Sequence, residues 1–237
     1  MAVFHFCFDL SHHGLLAANF YEDALWTTQR TCILSLFLLC AGAGQAVATA
    51  RGQSWARFWR RWAQVAGCAL LVSAGSWFMF PNSYIYFGVL HGMAVMLIVA
   101  RLSAPLRAWL WPLGALTLAL PRLVQHPFFD SRATNWIGLV TTKPITEDYV
   151  PLLPWLGVMW WGLAATQWLL RRHPACLASP GLARQGRNSG DNPAWLAQAR
   201  GALAGLGQWS LTFYMLHQPI LIGALSAWVW LSGRPQP

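Results

Sequence analysis

The chain has 237 residues, 56% of them hydrophobic and only 10% charged, with a mean hydropathy of +0.40. A soluble domain carries roughly 25% charged residues, so this composition points to helices in lipid; sixteen tryptophans, the residue that gathers at membrane interfaces, fit the same reading. A net charge of +9 would suit nucleic acid, but the arginines lie in short clusters between apolar runs and form no basic face with interleaved aromatics, which argues against that class.

Every predicted element is helical. The expectation is an all-α, polytopic membrane helical bundle of about seven transmembrane helices in a single domain over residues 1–237. Met1 to Leu16 is apolar but short of the roughly 20 residues a span needs, and polar Asp9, Ser11, His12 and His13 arrive early. The first helix therefore reads as truncated. Asn19 to Trp26 is a polar connection. Thr31 to Ala50 is a span whose small residues, Ala41 to Gly44, allow close helix packing. Trp62 to Phe80 follows, then the Pro81-Asn82 turn, then Tyr84 to Ala100. Trp109 to Leu120 is a shorter span between Pro105 and Pro121. After the polar stretch Arg122 to Val150, Leu152 to Leu170 crosses back, entered through Pro151 and Pro154, which suit a helix start. Residues 173–205, rich in Gly, Ala, Pro, Arg and Asn, read as a mobile loop, and Gly207 to Leu231 is the last span.

Alternating these spans sorts the charges. Arg51, Arg57, Arg60, Arg61, Arg101, Arg107, Arg171, Arg172, Arg184, Arg187 and Arg200 fall on one side, and Arg30, Arg122, Arg132, Lys143 and Arg234 on the other. Every acid except Asp191 falls on the base-poor side. The positive-inside rule then puts the N-terminus and the 173–205 loop in the cytoplasm, and the C-terminus outside.

Ionisable groups inside a membrane segment are costly and default to functional candidates. His5 and Asp9 are four apart and share a helix face, so the acid would fix the tautomer of a histidine base. His91 lies in Tyr84-Ile-Tyr-Phe-Gly-Val-Leu-His-Gly-Met, about two turns into its expected span, with Gly88 and Gly92 flanking it. His217 precedes Pro219, which frees a carbonyl one turn back and admits polar groups or water. A packing histidine explains either position equally well. Glu147 and Asp148, just before the Leu152 span, are an anion pair suited to an amine or sugar hydroxyl arriving from outside; the plainer alternative is a loop ion pair with Lys143 or Arg132. His12 and His13 read as solvated loop residues. The five cysteines, Cys7, Cys32, Cys40, Cys68 and Cys176, form neither a CxxC pair nor a zinc spacing. No metal site is expected, and no motif supports haem.

Five stretches carry a family resemblance: Val3-Phe-His-Phe-Cys-Phe-Asp-Leu, Ser35-Leu-Phe-Leu-Leu-Cys-Ala-Gly, Phe87-Gly-Val-Leu-His, Asp148-Tyr-Val-Pro-Leu-Leu-Pro-Trp-Leu-Gly and Leu211-Thr-Phe-Tyr-Met-Leu-His-Gln-Pro. Together, and in this order, they resemble the heparan-alpha-glucosaminide N-acetyltransferase catalytic-domain family of membrane acyltransferases in its small bacterial form. Members usually carry an Arg-Gly pair just upstream of the first stretch, and this chain begins after that point. The resemblance implies an integral membrane enzyme, in the bacterial inner membrane, that uses cytosolic acetyl-CoA to acylate an amino sugar or another sugar group on the far side. It marks His5, Asp9, His91, Asp148 and His217 as catalytic candidates. The inner arginines Arg57, Arg60 and Arg61 suit the phosphates of CoA, although the topology rule alone accounts for them. A sugar or glycan acceptor and the lipid bilayer are the implied partners. The competing readings are a carrier of a sugar or lipid-linked sugar, against which no inverted repeat is found, and a non-catalytic membrane scaffold.

Overall fold

The computed structural model describes residues 1–20, 22–173 and 209–232, with residues 198, 201, 202, 205 and 207 between them. Most of the expected 173–205 loop therefore lies outside the described residues, as do Cys176, Arg184, Arg187, Asp191, Arg200 and Arg234. Every regular element among the described residues is an α-helix or a 3-10 turn, so the all-α class holds. The chain forms two compact units, residues 1–33 with 180–237, and residues 34–179.

The first unit contains α1 (Ala2–His12), the start of α2 (Ala24–Ala50) and α7 (Ser210–Leu231). At 1.5 Å per residue, α1 is about 16 Å long, roughly half a bilayer core. It stops where Gly14 takes a left-handed φ of 67°. There the Leu15 N–H reaches Leu10 O (2.9 Å) and the Gly14 N–H reaches Ser11 O (3.0 Å), a Schellman closure of the last carbonyls. The returning chain is pinned by Phe20, 4% exposed, whose ring packs on Phe4, Phe8 and Trp26 at centroid distances of 5.5, 5.4 and 4.2 Å. Asn19 accepts from the Glu22 N–H and donates to its carboxylate, while its own N–H bonds Asp23. This local knot starts α2 at Ala24, earlier than the expected Thr31. α7 packs on α1 and runs through Pro219.

The second unit takes the rest of α2, then α3 (Trp55–Met79), α4 (Val89–Ser103), α5 (Leu110–Leu123) and α6 (Leu152–Arg172). Gly52, at φ 65°, closes α2 as Gly14 closes α1, and Ser54 at once caps α3 by accepting from the Arg57 N–H. α3 therefore begins at Trp55, not Trp62. Arg57, Arg60 and Arg61 occupy its first turns, exposed, and do not sit in a connection. Arginine is a good helix former, and the Ser54 cap, three residues before Arg57, outweighs its polarity.

α4 instead starts later than expected, at Val89 and not Tyr84, because Ser83 to Phe87 forms a turn and bend bonded to residues 146–150. The Glu147 N–H donates to Ser83 O (2.9 Å), Thr146 Oγ1 to Tyr84 O (2.9 Å) and the Val150 N–H to Phe87 O (3.3 Å). The helical run Val89–Leu123 spans 35 residues but doubles back. Trp160 Nε1 bonds Ser103 Oγ (2.8 Å) and Gln167 Nε2 bonds Ala104 O (2.9 Å), so α4 runs with α6. A 3-10 turn, Ala104–Trp109, with Arg107 at φ 50°, reverses the chain. Trp161 Nε1 then bonds Trp111 O (3.1 Å) and Gly157 backs onto Thr117, so α5 runs against α6. Each arm is shorter than the 20 residues of a full span. α2 and α3 are long and apolar enough to cross a membrane. Leu70, Phe78, Leu102 and Trp109 stand 64–85% exposed, an apolar surface suited to lipid.

Glycine sets how closely α2 and α6 approach. A Cβ on Gly42 would collide with Met159 O, and one on Gly162 with Leu39 O, so the two backbones touch at both points. Gly42→Leu is expected to destabilise the detergent-solubilised protein by at least about 1–3 kcal/mol, an overpacking cost. Gly44→Leu, whose Cβ would meet open space, should leave the thermal midpoint unchanged when both are followed by fluorescence-detected size exclusion.

Candidate active site

The sequence candidates fall into two groups, one in each unit. In the first unit α1 carries His5 and Asp9 on one face, and α7 brings His217 against them: the His5 and His217 ring centroids are 5.1 Å apart. Asp9 is 4% and His217 7% exposed. Nδ1 of His217 lies 3.0 Å from Phe213 O and 2.8 Å from Tyr214 O. A carbonyl only accepts, so Nδ1 carries the proton and the lone pair sits on Nε2. That Nε2 is buried and has no hydrogen-bond partner among the described residues. The Phe213 ring, stacked on the imidazole at 5.4 Å, fixes its plane. A neutral imidazole with an unengaged basic nitrogen beside a second histidine is competent to take a proton.

The second group is His91 with Asp148, and its hydrogen bonding differs. Gly88 is the N-cap of α4 and His91 its third residue, so His91 lies in the first turn and not two turns in. Its Nδ1 accepts from the Gly88 N–H (3.3 Å), and its Nε2 meets Ser73 Oγ (3.0 Å), whose own proton goes to Ile85 O (2.6 Å). The hydroxyl is committed as a donor, so Nε2 carries the imidazole proton. Both nitrogens of His91 are thereby occupied.

Asp148 Oδ2 accepts from the Val89 N–H (2.7 Å), closing the start of α4 from a loop 59 residues on. Gly88 has no side chain to do this, and a Cβ there would collide with the Asp148 carboxylate. Glu147, expected as its partner toward an acceptor, takes a 2.5 Å bond from Ser83 Oγ. The two neighbouring carboxylates thus both hold the 81–88 connection.

Around them the 124–151 loop is laced with polar contacts that the sequence did not single out. Asp130 accepts from the side chain and backbone of Thr141 and from the Thr142 N–H, which holds its carboxyl below the usual carboxylate range. Asn135, 1% exposed, donates from Nδ2 to Tyr86 Oη (2.6 Å), and its main-chain carbonyl accepts from Tyr149 Oη (2.6 Å). Burial, with Tyr86 and Asp130 nearby, pushes the Tyr149 phenol well above its ordinary pKa. Ser73, Tyr86, Asn135 and Tyr149 join the site by contacts between segments distant in sequence. Ser73 alone had a signal, a hydroxyl in an apolar run.

Arg57, Arg60 and Arg61 are exposed on one end of α3, beside the stacked rings of Trp55 and Trp59. Arg101 donates to Gln53 O, with its guanidinium 5.2 Å from the Trp55 ring centroid. Among the described residues no three His, Cys, Asp or Glu side chains converge as a metal set.

Residues 1–219 match the family model described as heparan-alpha-glucosaminide N-acetyltransferase, catalytic. No curated protein and no solved structure matches the chain. The match takes in the helices that carry His5, Asp9, His91 and Asp148, and it reaches His217 on α7. Covering 219 of the 237 residues, it shows that the chain belongs to the heparan-alpha-glucosaminide N-acetyltransferase catalytic family.

Proposed function

We propose that this protein is an integral membrane acyltransferase that moves an acetyl group from cytosolic acyl-CoA to an amino sugar or sugar hydroxyl on the outer side. Family membership supports the acetyl transfer and the sugar acceptor. The observation that carries the chemistry is the buried Nε2 of His217, basic by tautomer and unengaged by any described residue.

In this reading His217 Nε2 removes the proton from the acceptor amine or hydroxyl as its nitrogen or oxygen bonds the acetyl carbonyl carbon. The thioester C–S bond breaks, and the CoA thiolate leaves with the proton returned by the imidazolium. His5 lies beside the base, and Asp9, one turn further along α1, offsets the positive charge that develops on the pair. His91 and Asp148 are given a positioning role: they hold the start of α4 and the loop across it. Arg57, Arg60 and Arg61 are the proposed contacts for the CoA phosphates, cationic side chains grouped on one helix end. The chain is proposed to cross a bacterial inner membrane about seven times as a single domain over residues 1–237. The N-terminus and the 173–205 loop are placed in the cytoplasm, and the C-terminus outside, as the charge sorting supports.

Full-length protein with radiolabelled acetyl-CoA and a panel of amino sugars should yield acylated sugar. His217→Gln should lose about 10²- to 10⁴-fold in kcat, the worth of a general base, and His5→Asn a smaller factor, both with the thermal midpoint retained. Sugar uptake into vesicles without acylation would sink the enzyme reading in favour of the carrier.

Asp148 separates two roles. Asparagine keeps an acceptor oxygen for the Val89 N–H, so Asp148→Asn should stay close to wild type in both stability and kcat. Asp148→Ala should cost about 1 kcal/mol, the price of a lost cap. If Asp148→Asn abolishes transfer at an unchanged melting temperature, the carboxylate works on the substrate and not on the helix.

A further inference from the structure

Asn135 is 1% exposed, and its side-chain Oδ1 is buried without a partner among the described residues. Its Nδ2 donates to Tyr86 Oη at 2.6 Å, and the Tyr86 hydroxyl proton has no acceptor among the described residues. An orphan acceptor and an orphan donor therefore lie side by side. Turning the carboxamide over does not remove the mismatch. Tyr86 then donates to Oδ1, and what remains is an unpaired Nδ2–H and an unpaired phenolic lone pair. In either orientation the pair presents at least one donor and one acceptor.

A group that gives and takes one hydrogen bond at once completes both. An isolated ion does not: it satisfies one half only, and neither side chain offers it a charge. Asp130, the nearby acid, is committed to Thr141 and Thr142. A neutral hydroxyl fits. The surroundings favour one borne on a carbon ring. Tyr84 and Tyr86 lie with centroids 6.0 Å apart, and the Arg132 guanidinium is 5.6 and 5.7 Å from their ring centroids. Phe87 and Trp136 follow in the same two segments, 6.1 Å apart. Aromatic faces take the C–H edges of a sugar ring, while the donor–acceptor pair reads a hydroxyl.

The pair is also held in place from outside. Tyr149 Oη grips the Asn135 carbonyl, and Thr146 and Glu147 fix the Tyr84–Phe87 segment by bonds to Tyr84 O and Ser83. A carboxamide bonded at this depth without a full set of partners costs stability, which a ligand hydroxyl offsets.

We infer that Asn135 and Tyr86 form a binding site for a hydroxyl of a neutral or amino sugar on the loop end of the second unit. The class of ligand rests on the acyltransferase reading; the geometry of the site does not.

The test is saturation-transfer NMR on the purified full chain in detergent, with glucose and glucosamine as probes, alongside acceptor KM in the transfer assay. Tyr86→Phe and Asn135→Ala should each weaken sugar binding about tenfold, the loss of one buried hydrogen bond. Gln125→Ala, an exposed side chain bonded to Pro121 O and away from the pair, should leave the affinity unchanged. No sugar binding in the wild type, or binding that Tyr86→Phe and Asn135→Ala do not alter, overturns the inference and leaves the pair a seat for a buried water. Sugar binding that both variants abolish, with no acyl transfer by the wild type, keeps the site and removes the enzyme reading. Transfer by the wild type with acceptor KM unmoved in both variants keeps the enzyme and removes the site.

Discussion

The second unit depends on one hydrogen bond that its helices cannot supply for themselves. The first N–H groups of a helix have no intrahelical acceptor, and in an apolar setting each must find one. At α4 the N-cap is Gly88, which has no side chain to offer. Asp148 Oδ2 takes the Val89 N–H from a distant loop, in the volume that a Gly88 side chain would fill. Glycine at 88 and aspartate at 148 are therefore a single solution: a larger residue at 88 would expel the carboxylate. The bond also decides what surrounds it. It fixes the 146–150 segment against 83–87, delivers Val150 against Gly92, and so sets the entry into α6 beside α4. His91 completes the arrangement by reaching back to the Gly88 N–H.

Hydrogen-bond accounting divides histidines that look alike in the sequence. His91 and His217 both lie in helices, among glycine or proline and aromatics. The first accepts a hydrogen bond at Nδ1 from the Gly88 N–H and donates one from Nε2 to Ser73 Oγ, so nothing is left for a substrate. The second spends Nδ1 on two carbonyls of its own helix and leaves Nε2 without a partner among the described residues. A satisfied imidazole orients its neighbours; an unsatisfied basic nitrogen held at this depth has a proton to wait for. Tautomer assignment, and not burial or proximity to an acid, separates the two roles.

Local chemistry was legible and non-local chemistry was not. The small residues around Ala41–Gly44 announced a close helix contact, and Gly42 makes one. His5 and Asp9 fell on one helix face by their spacing, and Pro151 stands directly before α6. Boundaries failed where a distant partner competed with hydropathy. Tyr84 to Phe87 is apolar enough to join a span, yet its backbone bonds a segment some sixty residues away, so α4 begins at Val89. Arg57, Arg60 and Arg61 read as a connection, because charge marks loop ends in membrane proteins, until the Ser54 cap placed them on α3. Asn135 and Tyr86 carried no signal at all. They lie 49 residues apart, each ordinary in its own segment, and their importance arises only from the bond between them.

The ends of the second unit satisfy their polar groups in opposite ways, and that difference bears on what each can bind. At the end where α3 begins and α4 and α6 finish, the arginines are held by aromatic faces and carbonyls. Arg101 rests against Trp55 and Gln53 O, and Arg172 lies 4.4 Å from the Trp168 ring centroid. Neither pairs with a carboxylate among the described residues, so their positive charge stays available to an incoming anion. At the loop end the acids are spent on structure: Asp148 on α4, Glu147 on Ser83, Asp130 on Thr141. A cationic acceptor would have to compete with backbone N–H or hydroxyl donors for each of them. A hydroxyl asks for neither charge, only a donor and an acceptor, and Tyr86 and Asn135 present that combination. The same fold thus keeps its free cations where the proposed phosphate-bearing donor would arrive, and neutral hydrogen-bonding groups where the proposed sugar would.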